Sequence, residues 1–326
     1  MKTKTFADTL RDSSTGLSSP AAVALAASGA ATAGLAVFNA VRARRANRAN
    51  PATGAFVTVS GVKLHYVAIG EGPTVVLLHG NGMMIEDWTA SGVLGELAKT
   101  NRVIAFDRPG FGHSERPRST VWTPVAQAKL IAEALNELGE KDVSVVGHSF
   151  GTLVALALAA ERPALVSSLV LISGYYYPSA RLDVVLAAPP AVPVIGDVIR
   201  YTASPLLGAA LKPRMEQQMF GPARVSDGWR KDFPFEMTLR PSQVRAAAAD
   251  AALMIPAAAA AAAGYADLAM PVTIIAGTGD KVVDPKSQSC RLAGEIDDSE
   301  LLLIEHAGHM VHHSAAEAVV GAIRAR

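Results

Sequence analysis

A serine hydroxyl is a poor nucleophile unless a base stands beside it. Ser149 sits in Gly147-His148-Ser149-Phe150-Gly151, within "VSVVGHSFGTLVALALA". The residues before it read as a strand and those after it as a helix. A G-x-S-x-G in that setting is a nucleophile elbow, a turn so tight that side chains at the glycine positions would clash. In such an arrangement an acid and then a histidine follow the serine in chain order. His65, His79, His113 and His148 precede or adjoin Ser149; His306, His309, His312 and His313 follow it in "LLLIEHAGHMVHHS". His309, after Ala307-Gly308, falls in the loop beyond the last strand, where an imidazole reaches across the sheet top. Glu305 and His306 read as strand-end residues, and His312 and His313 as part of a closing helix. The acid comes from "IIAGTGDKVVDP". Asp284 precedes Pro285 and reads as a helix N-cap with proline at N1. That favours Asp280 over Asp284 as the acid that orients His309. The rival reading is a metal held by the clustered histidines, but no cysteine or carboxylate spacing supports it. Neither a metal nor a cofactor is expected.

Buried strands must hold these groups. Val- and Ile-rich runs recur at Thr74–Leu78, Arg102–Phe106, Val143–Val146, Leu169–Ile172, Val272–Ala276 and Leu301–Ile304. Runs this continuous suit strands covered on both faces, as in a parallel sheet. Helical stretches at Pro124–Leu138 and Thr152–Ala160 separate some of them, and "AFVTVSGVKLHYVAIG" alternates around Ser60-Gly61 as a hairpin does. The result is an α/β fold with a mostly parallel central sheet and helices on both faces. Ligands in such sheets bind beyond the C-terminal strand ends, where every motif above falls. One of those ends is unusual. The run Thr74–Leu78 stops at His79-Gly80-Asn81-Gly82, a sequence that suits either a tight loop or a backbone N–H brought close to a reacting atom.

From about Ala55 to its C-terminus the chain resembles the α/β-hydrolase superfamily, in "LLHGNG", "DRPGFGHS", "GHSFG", "GTGD" and "AGHM", in the family's order. The resemblance implies a triad of Ser149, Asp280 and His309, and an oxyanion hole from the backbone N–H groups of Asn81 and Phe150. It gives "DRPGFGHSERP" (Asp107–Pro117) a structural role, without direct chemistry for Asp107 or His113. It also implies a helical cap inserted after strand 6, where the strand–helix rhythm breaks between Gly174 and about Gly264. The expected division is hydrolase core over 51–174, cap over 175–264 and core again over 265–326. Met83, Met84, Trp88, Tyr175, Tyr176 and Tyr177 are candidates to line the pocket. "ADAALMIPAAAAAAAGY" reads as an Ala-rich cap helix interrupted at Pro256. The chain resembles in particular a group of uncharacterised bacterial hydrolases, so no substrate is implied. The expected activity is cofactor-free serine hydrolysis, most simply of a carboxylic ester with apolar character. C–C bond hydrolysis, perhydrolysis, lactone or amide hydrolysis, acyl transfer and a non-catalytic ligand receptor are the alternatives.

The chain has 326 residues and a net charge of +1, so nothing points to nucleic acid. Its single cysteine, Cys290, excludes an intrachain disulfide. The first 50 residues differ from the rest. Met1–Ser19 is polar and reads as flexible. Residues 21–41 carry no formal charge, and Arg42, Arg44, Arg45 and Arg48 follow them. That length suits a bilayer core of ~30 Å. The expectation is one N-terminal membrane helix with its arginine side, and hence the catalytic domain, in the cytoplasm.

Overall fold

The computed structural model describes residues 20–326; the flexible stretch expected at Met1–Ser19 lies outside them. An eight-stranded sheet, β1 Ala55–Val59, β2 Val62–Ile69, β3 Thr74–Leu78, β4 Arg102–Phe106, β5 Val143–His148, β6 Val166–Ile172, β7 Val272–Gly277 and β8 Ser299–Ile304, forms the centre of the described chain. Its spatial order is β1-β2-β4-β3-β5-β6-β7-β8. The β1–β2 hairpin is antiparallel, β2 meets β4 antiparallel, and every later pairing is parallel. Ser60 and Gly61 both take positive φ, 48° and 73°, the twist a two-residue hairpin turn needs. Strands β5 and β7 are buried along their whole length, as their unbroken apolar runs require.

Each face of the sheet carries a core. On one side, helices Pro124–Glu137 and Phe150–Glu161 pack against Val76, Leu78, Val145, Leu169 and Ile274. On the other, Trp88, Leu97, Val319 and Ile323 cover Val75, Leu77, Val146 and Ile275. Each fully buried Val, Leu or Ile contributes about 1.5–3 kcal/mol relative to exposure. Pro124 begins its helix at N1, and the Thr123 hydroxyl caps it by accepting from Ala126 N at 3.1 Å.

Between Ile172 and Val272 the chain leaves the sheet and forms helices. The longest are Ala203–Phe220 and Pro241–Ala261. The second runs through Pro256 without a break, so the interruption expected there does not occur. Proline removes one backbone donor, but the neighbouring alanines are strong helix formers and Ala258 behind it is fully buried. The N-terminal helix is also longer than its uncharged core, spanning Pro20–Ala49, because Arg and Ala continue a helix readily. It is exposed over most of its first half and docked over its second, where Asn39 and Ala46 are buried. By length and composition it can cross a membrane. His312 and His313 lie in a short helix, Val311–Ser314, separated from the closing helix Ala316–Arg324.

Candidate active site

Strand β5 delivers Ser149 at its C-terminal end in a strained backbone, φ 52° and ψ −120°. A non-glycine residue at positive φ is uncommon and is held there by its surroundings. The fixing contacts are close: a Cβ on Gly151 would meet the Leu78 carbonyl oxygen at 2.3 Å. The Ser149 hydroxyl lies 2.9 Å from His309 Nε2, and His309 Nδ1 lies 2.8 Å from Asp280 Oδ2. The other carboxylate oxygen of Asp280 accepts from Val282 N at 2.7 Å and Val283 N at 2.9 Å. A carboxylate fixed in this way holds Nδ1 protonated and leaves Nε2 free to accept from the serine hydroxyl. Asp284 is elsewhere engaged: it accepts from Ser287 N at 2.9 Å and Ser287 Oγ at 2.6 Å, as a cap does.

The loop after β3 passes directly over the serine. A Cβ on Gly80 would lie 2.9 Å from His148 Nδ1 and 3.2 Å from Ser149 Cβ, so only glycine lets the backbone approach this closely. Among the described residues, the N–H groups of Asn81 and Phe150 find no backbone hydrogen-bond acceptor. Phe150 is the first residue of its helix, where N–H groups are unpaired by geometry.

A buried arginine holds this loop in place. Arg108 is fully buried and donates to the carbonyls of His79 (2.8 Å) and Gly80 (3.1 Å), to Gln127 Oε1 (2.8 Å) and to Asp250 Oδ2 (2.7 Å). Asp250, on Pro241–Ala261, also accepts from Arg116 at 2.9 Å. Along the same helix Gln243 donates to Gly82 O and Ala247 O accepts from the Asn81 side chain. The inserted helix therefore grips the loop at three successive turns. His79 completes the arrangement: its Nε2 accepts from Arg108 N at 2.9 Å. Burial, with the Arg108 charge beside it, pushes its pKa down to about 4, so it is neutral at pH 7. Asp107 is bonded to His65, His113 N and Ile85 N, within the scaffold of the loop.

Behind Ser149 lies a second polar cluster that sequence reasoning missed. His312 Nε2 and His313 Nε2 donate to opposite oxygens of Asp87 at 3.1 and 2.9 Å, and Asp87 is fully buried. Burial alone would raise the Asp87 pKa, but the two imidazoles hold it well below the carboxylate range. His148 Nε2 donates to His309 O at 3.2 Å, and burial drives its pKa well down. The cluster ties the helix Ile85–Ala90, next to the glycine loop, to the segment that carries His309. Asp87, His312 and His313 also form the group of described residues with ligand atoms close enough to hold an ion. His309 and His306 are not in it: the first faces Ser149, and the second is exposed beyond β8. An aspartate beside Glu86 in the first turn of a short helix looks like a dipole-favoured acid, so nothing in the sequence marked Asp87.

A cavity of about 260 Å³ opens over Ser149 and His309, walled by Met83, Arg181, Val184, Met215, Met219 and Met254. Of the six expected lining residues, Met83 alone is in the wall. Met84 is buried with Met237 and Trp229, and Trp88 packs on His312. Tyr175, Tyr176 and Tyr177 are buried in the core between the sheet and the insertion. Tyr176 N and Tyr177 N both donate to Gln288 Oε1, which turns that segment inward and away from the cavity.

Residues 73–316 match the family described as the alpha/beta hydrolase fold. The chain belongs to that family. A Variovorax paradoxus protein provisionally named a carbamate hydrolase is 30% identical over 270 residues, 79% of this chain and 93% of that one. A 2-hydroxy-6-oxo-2,4-heptadienoate hydrolase of Pseudomonas putida is 33% identical over 46% of this chain and 56% of its own length. An uncharacterised Mycobacterium tuberculosis protein is 37% identical over 38% of this chain and 35% of its own. The match thus spans about a third of the mycobacterial relative and little more than half of the Pseudomonas hydrolase. Among solved structures, an esterase from Thermogutta terrifontis superposes with a TM-score of 0.68 at 23% identity, covering 84% of this chain and 97% of that one. An enol-lactonase from Burkholderia xenovorans gives 0.66 at 22%, covering 83% and 98%. At such identities the chain shares a fold with these enzymes and nothing finer.

Proposed function

We propose that this hydrolase cleaves carboxylic esters through an acyl-enzyme. The observation that carries the reading is the unbroken hydrogen-bonded line Ser149–His309–Asp280 at the floor of an apolar cavity. Ser149 attacks the ester carbonyl, and His309 takes its proton and returns it to the leaving alcohol. Asp280 holds the imidazole tautomer and stabilises the imidazolium. The N–H groups of Asn81 and Phe150 receive the oxyanion, and losing one such donor typically costs ~10²–10³ in rate. Water then releases the acid by the same steps in reverse roles. The insertion between β6 and β7 acts as the cap that shapes the acyl pocket and excludes water. The helix Pro20–Ala49 anchors the enzyme in a membrane, with the arginines after its apolar stretch on the cytoplasmic side.

The second reading is cleavage of an acidic substrate at a C–C bond, the kind of substrate the Pseudomonas relative's name describes. Its support in this chain is Arg181, a cation among the residues that line the cavity. A panel of p-nitrophenyl acyl esters beside a ring-cleavage dienoate separates the two. A fluorophosphonate should label the wild type, and Ser149→Ala should abolish labelling in a folded protein. Undiminished labelling of that variant refutes the nucleophile. A wild type that turns over no substrate would point to a ligand receptor.

A further inference from the structure

The large apolar side chains left exposed on this molecule are not scattered. Among the described residues about half of them fall between Leu182 and Met215, and about a quarter lie on the N-terminal helix. Leu182, Val185, Leu186, Val194, Ile195 and Val198 are each between 52% and 74% exposed. Val185, Leu186, Ile195 and Val198 belong to two short helical arms, Val184–Ala191 and Ile195–Tyr201, that meet at 100°, and Leu182 and Val194 lie just before one arm each. Exposed apolar surface this concentrated marks a surface that meets something apolar.

Where the patch sits identifies the partner. Helix Pro20–Ala49 changes character at Asn39. Val37 and Phe38 before it are exposed, whereas the Asn39 side chain is buried and donates to Tyr201 O (2.9 Å) and Thr202 O (2.8 Å) at the end of the second arm. Arg42 then pairs with Glu236, and Asn47 accepts from Arg240. The stretch before Asn39 rises ~28 Å at 1.5 Å per residue, close to the ~30 Å bilayer core. With this stretch in the bilayer, as proposed above, the point at which the helix leaves it is the point at which it touches the apolar arms. Four arginines, Arg42, Arg44, Arg45 and Arg48, follow at the level of the headgroups.

The first arm also lines the reaction cavity. In Leu182–Ala187, Val184 and Ala187 line the cavity over Ser149 while Leu182, Val185 and Leu186 face outward. On Ala203–Phe220, exposed Leu207, Leu211 and Met215 recur every four residues and lead to Met219, and Met215 and Met219 both line the cavity. A stripe at that spacing occupies one helix face. It is an apolar track from the outer surface to the serine.

We infer that the arms 182–201 bed into the surface of a lipid bilayer, and that an apolar ester dissolved in that bilayer reaches Ser149 along the Leu207–Met219 stripe. The delivery half of this inference rests on the hydrolase reading above; the membrane face rests on the anchor reading of Pro20–Ala49 alone.

The test uses the full-length chain. Val194→Cys in a Cys290→Ser background is labelled with an environment-sensitive NBD fluorophore and reconstituted into phosphatidylcholine–phosphatidylglycerol vesicles. The emission is expected to be blue-shifted, quenched by nitroxide lipids labelled near the headgroup, and insensitive to aqueous iodide. Quenching by iodide alone overturns the inference. Shielding from both quenchers overturns it too, because a second copy of the protein would then be the cover. In a parallel arm, Leu182, Val185, Leu186 and Ile195 are all changed to Ser. Turnover of a long-chain ester dissolved in vesicles should fall about 10-fold or more, as expected when four apolar side chains lose their burial. Turnover of a short soluble ester should change less than about 2-fold, since none of the four lines the cavity. Equal losses on both esters refute delivery from the bilayer. If the wild type turns over neither ester while nitroxide quenching persists, the hydrolase reading falls and the membrane face stands.

Discussion

Changing Asp280 and Asp284 should have opposite effects, although they lie only four positions apart. Asp280 presents Oδ2 to His309 Nδ1 and uses Oδ1 for two amides, Val282 and Val283. In Asp280→Asn the introduced amide can keep its oxygen on those two N–H groups, so the loop stays folded. Its NH₂ then faces His309 Nδ1, which must become an acceptor. The proton moves to Nε2, and the imidazole can no longer accept from Ser149. The equivalent exchange in a well-studied triad costs ~10⁴ in kcat, which is about 5.4 kcal/mol of transition-state stabilisation at 1.36 kcal/mol per decade. Asp284 holds Ser287 through its N–H and hydroxyl. Losing a cap costs ~1 kcal/mol, which for a domain of this size lowers Tm by about 2–4 °C. The assay is kcat on a soluble p-nitrophenyl ester with Tm measured on the same samples. Asp280→Asn should melt like the wild type and be nearly inactive; Asp284→Ala should be active and melt lower. If Asp284→Ala loses the activity and Asp280→Asn keeps it, the orienting role has been given to the wrong carboxylate. If both keep it, the proposed relay is wrong altogether.

Asp250→Ala should lower unfolding stability by about 3–5 kcal/mol, because it strands the buried charges of Arg108 and Arg116. It should also depress kcat by freeing Arg108 from one side of the Gly80 loop; a loss below about 1 kcal/mol in chemical denaturation would show that the network is not what holds the helix Pro241–Ala261 down. Acid should destabilise the fold through His79. Its folded pKa of about 4 lies below the usual 6.5, so between those values the unfolded chain binds more protons and stability falls as pH falls. The difference of 2.5 units amounts to about 3 kcal/mol lost by pH 4. Denaturant midpoints at pH 7 and 4.5 should therefore diverge, and diverge less in His79→Gln; an equal divergence in the variant would place the titrating group elsewhere.

How much of this was legible in the residues depended on the range of the signal. The strands lie in Val- and Ile-rich runs whose continuity reports burial on both faces, and their positions agreed with expectation to within a few residues. Ser149, Asp280 and His309 each follow a strand at its C-terminal end, so local pattern was enough to nominate them. The choice of Asp280 over Asp284 could also be made locally, because Asp284-Pro285 already reads as a cap. Pro256 misled because a proline's local preference competes with a helix packed along most of its length, and packing prevails.

What depended on contacts between distant segments was out of reach. Asp87 meets His312 and His313 across more than 220 residues, and Arg108 meets Asp250 across 142. No periodicity encodes such pairings; they exist only because the sheet order brings the ends of β3, β4 and β5 and the insertion together. The pocket wall was equally hidden. Six apolar residues were nominated for it and Met83 is in it, since burial in a core and burial in a cavity wall draw on the same residue types. By itself the sequence determined the strands, the elbow and the chemically competent side chains, because those are local matters of residue type and period. The tertiary structure alone decided which side chains meet, and that the helix Leu182–Ala187, which lines the cavity over Ser149, carries an apolar outer face.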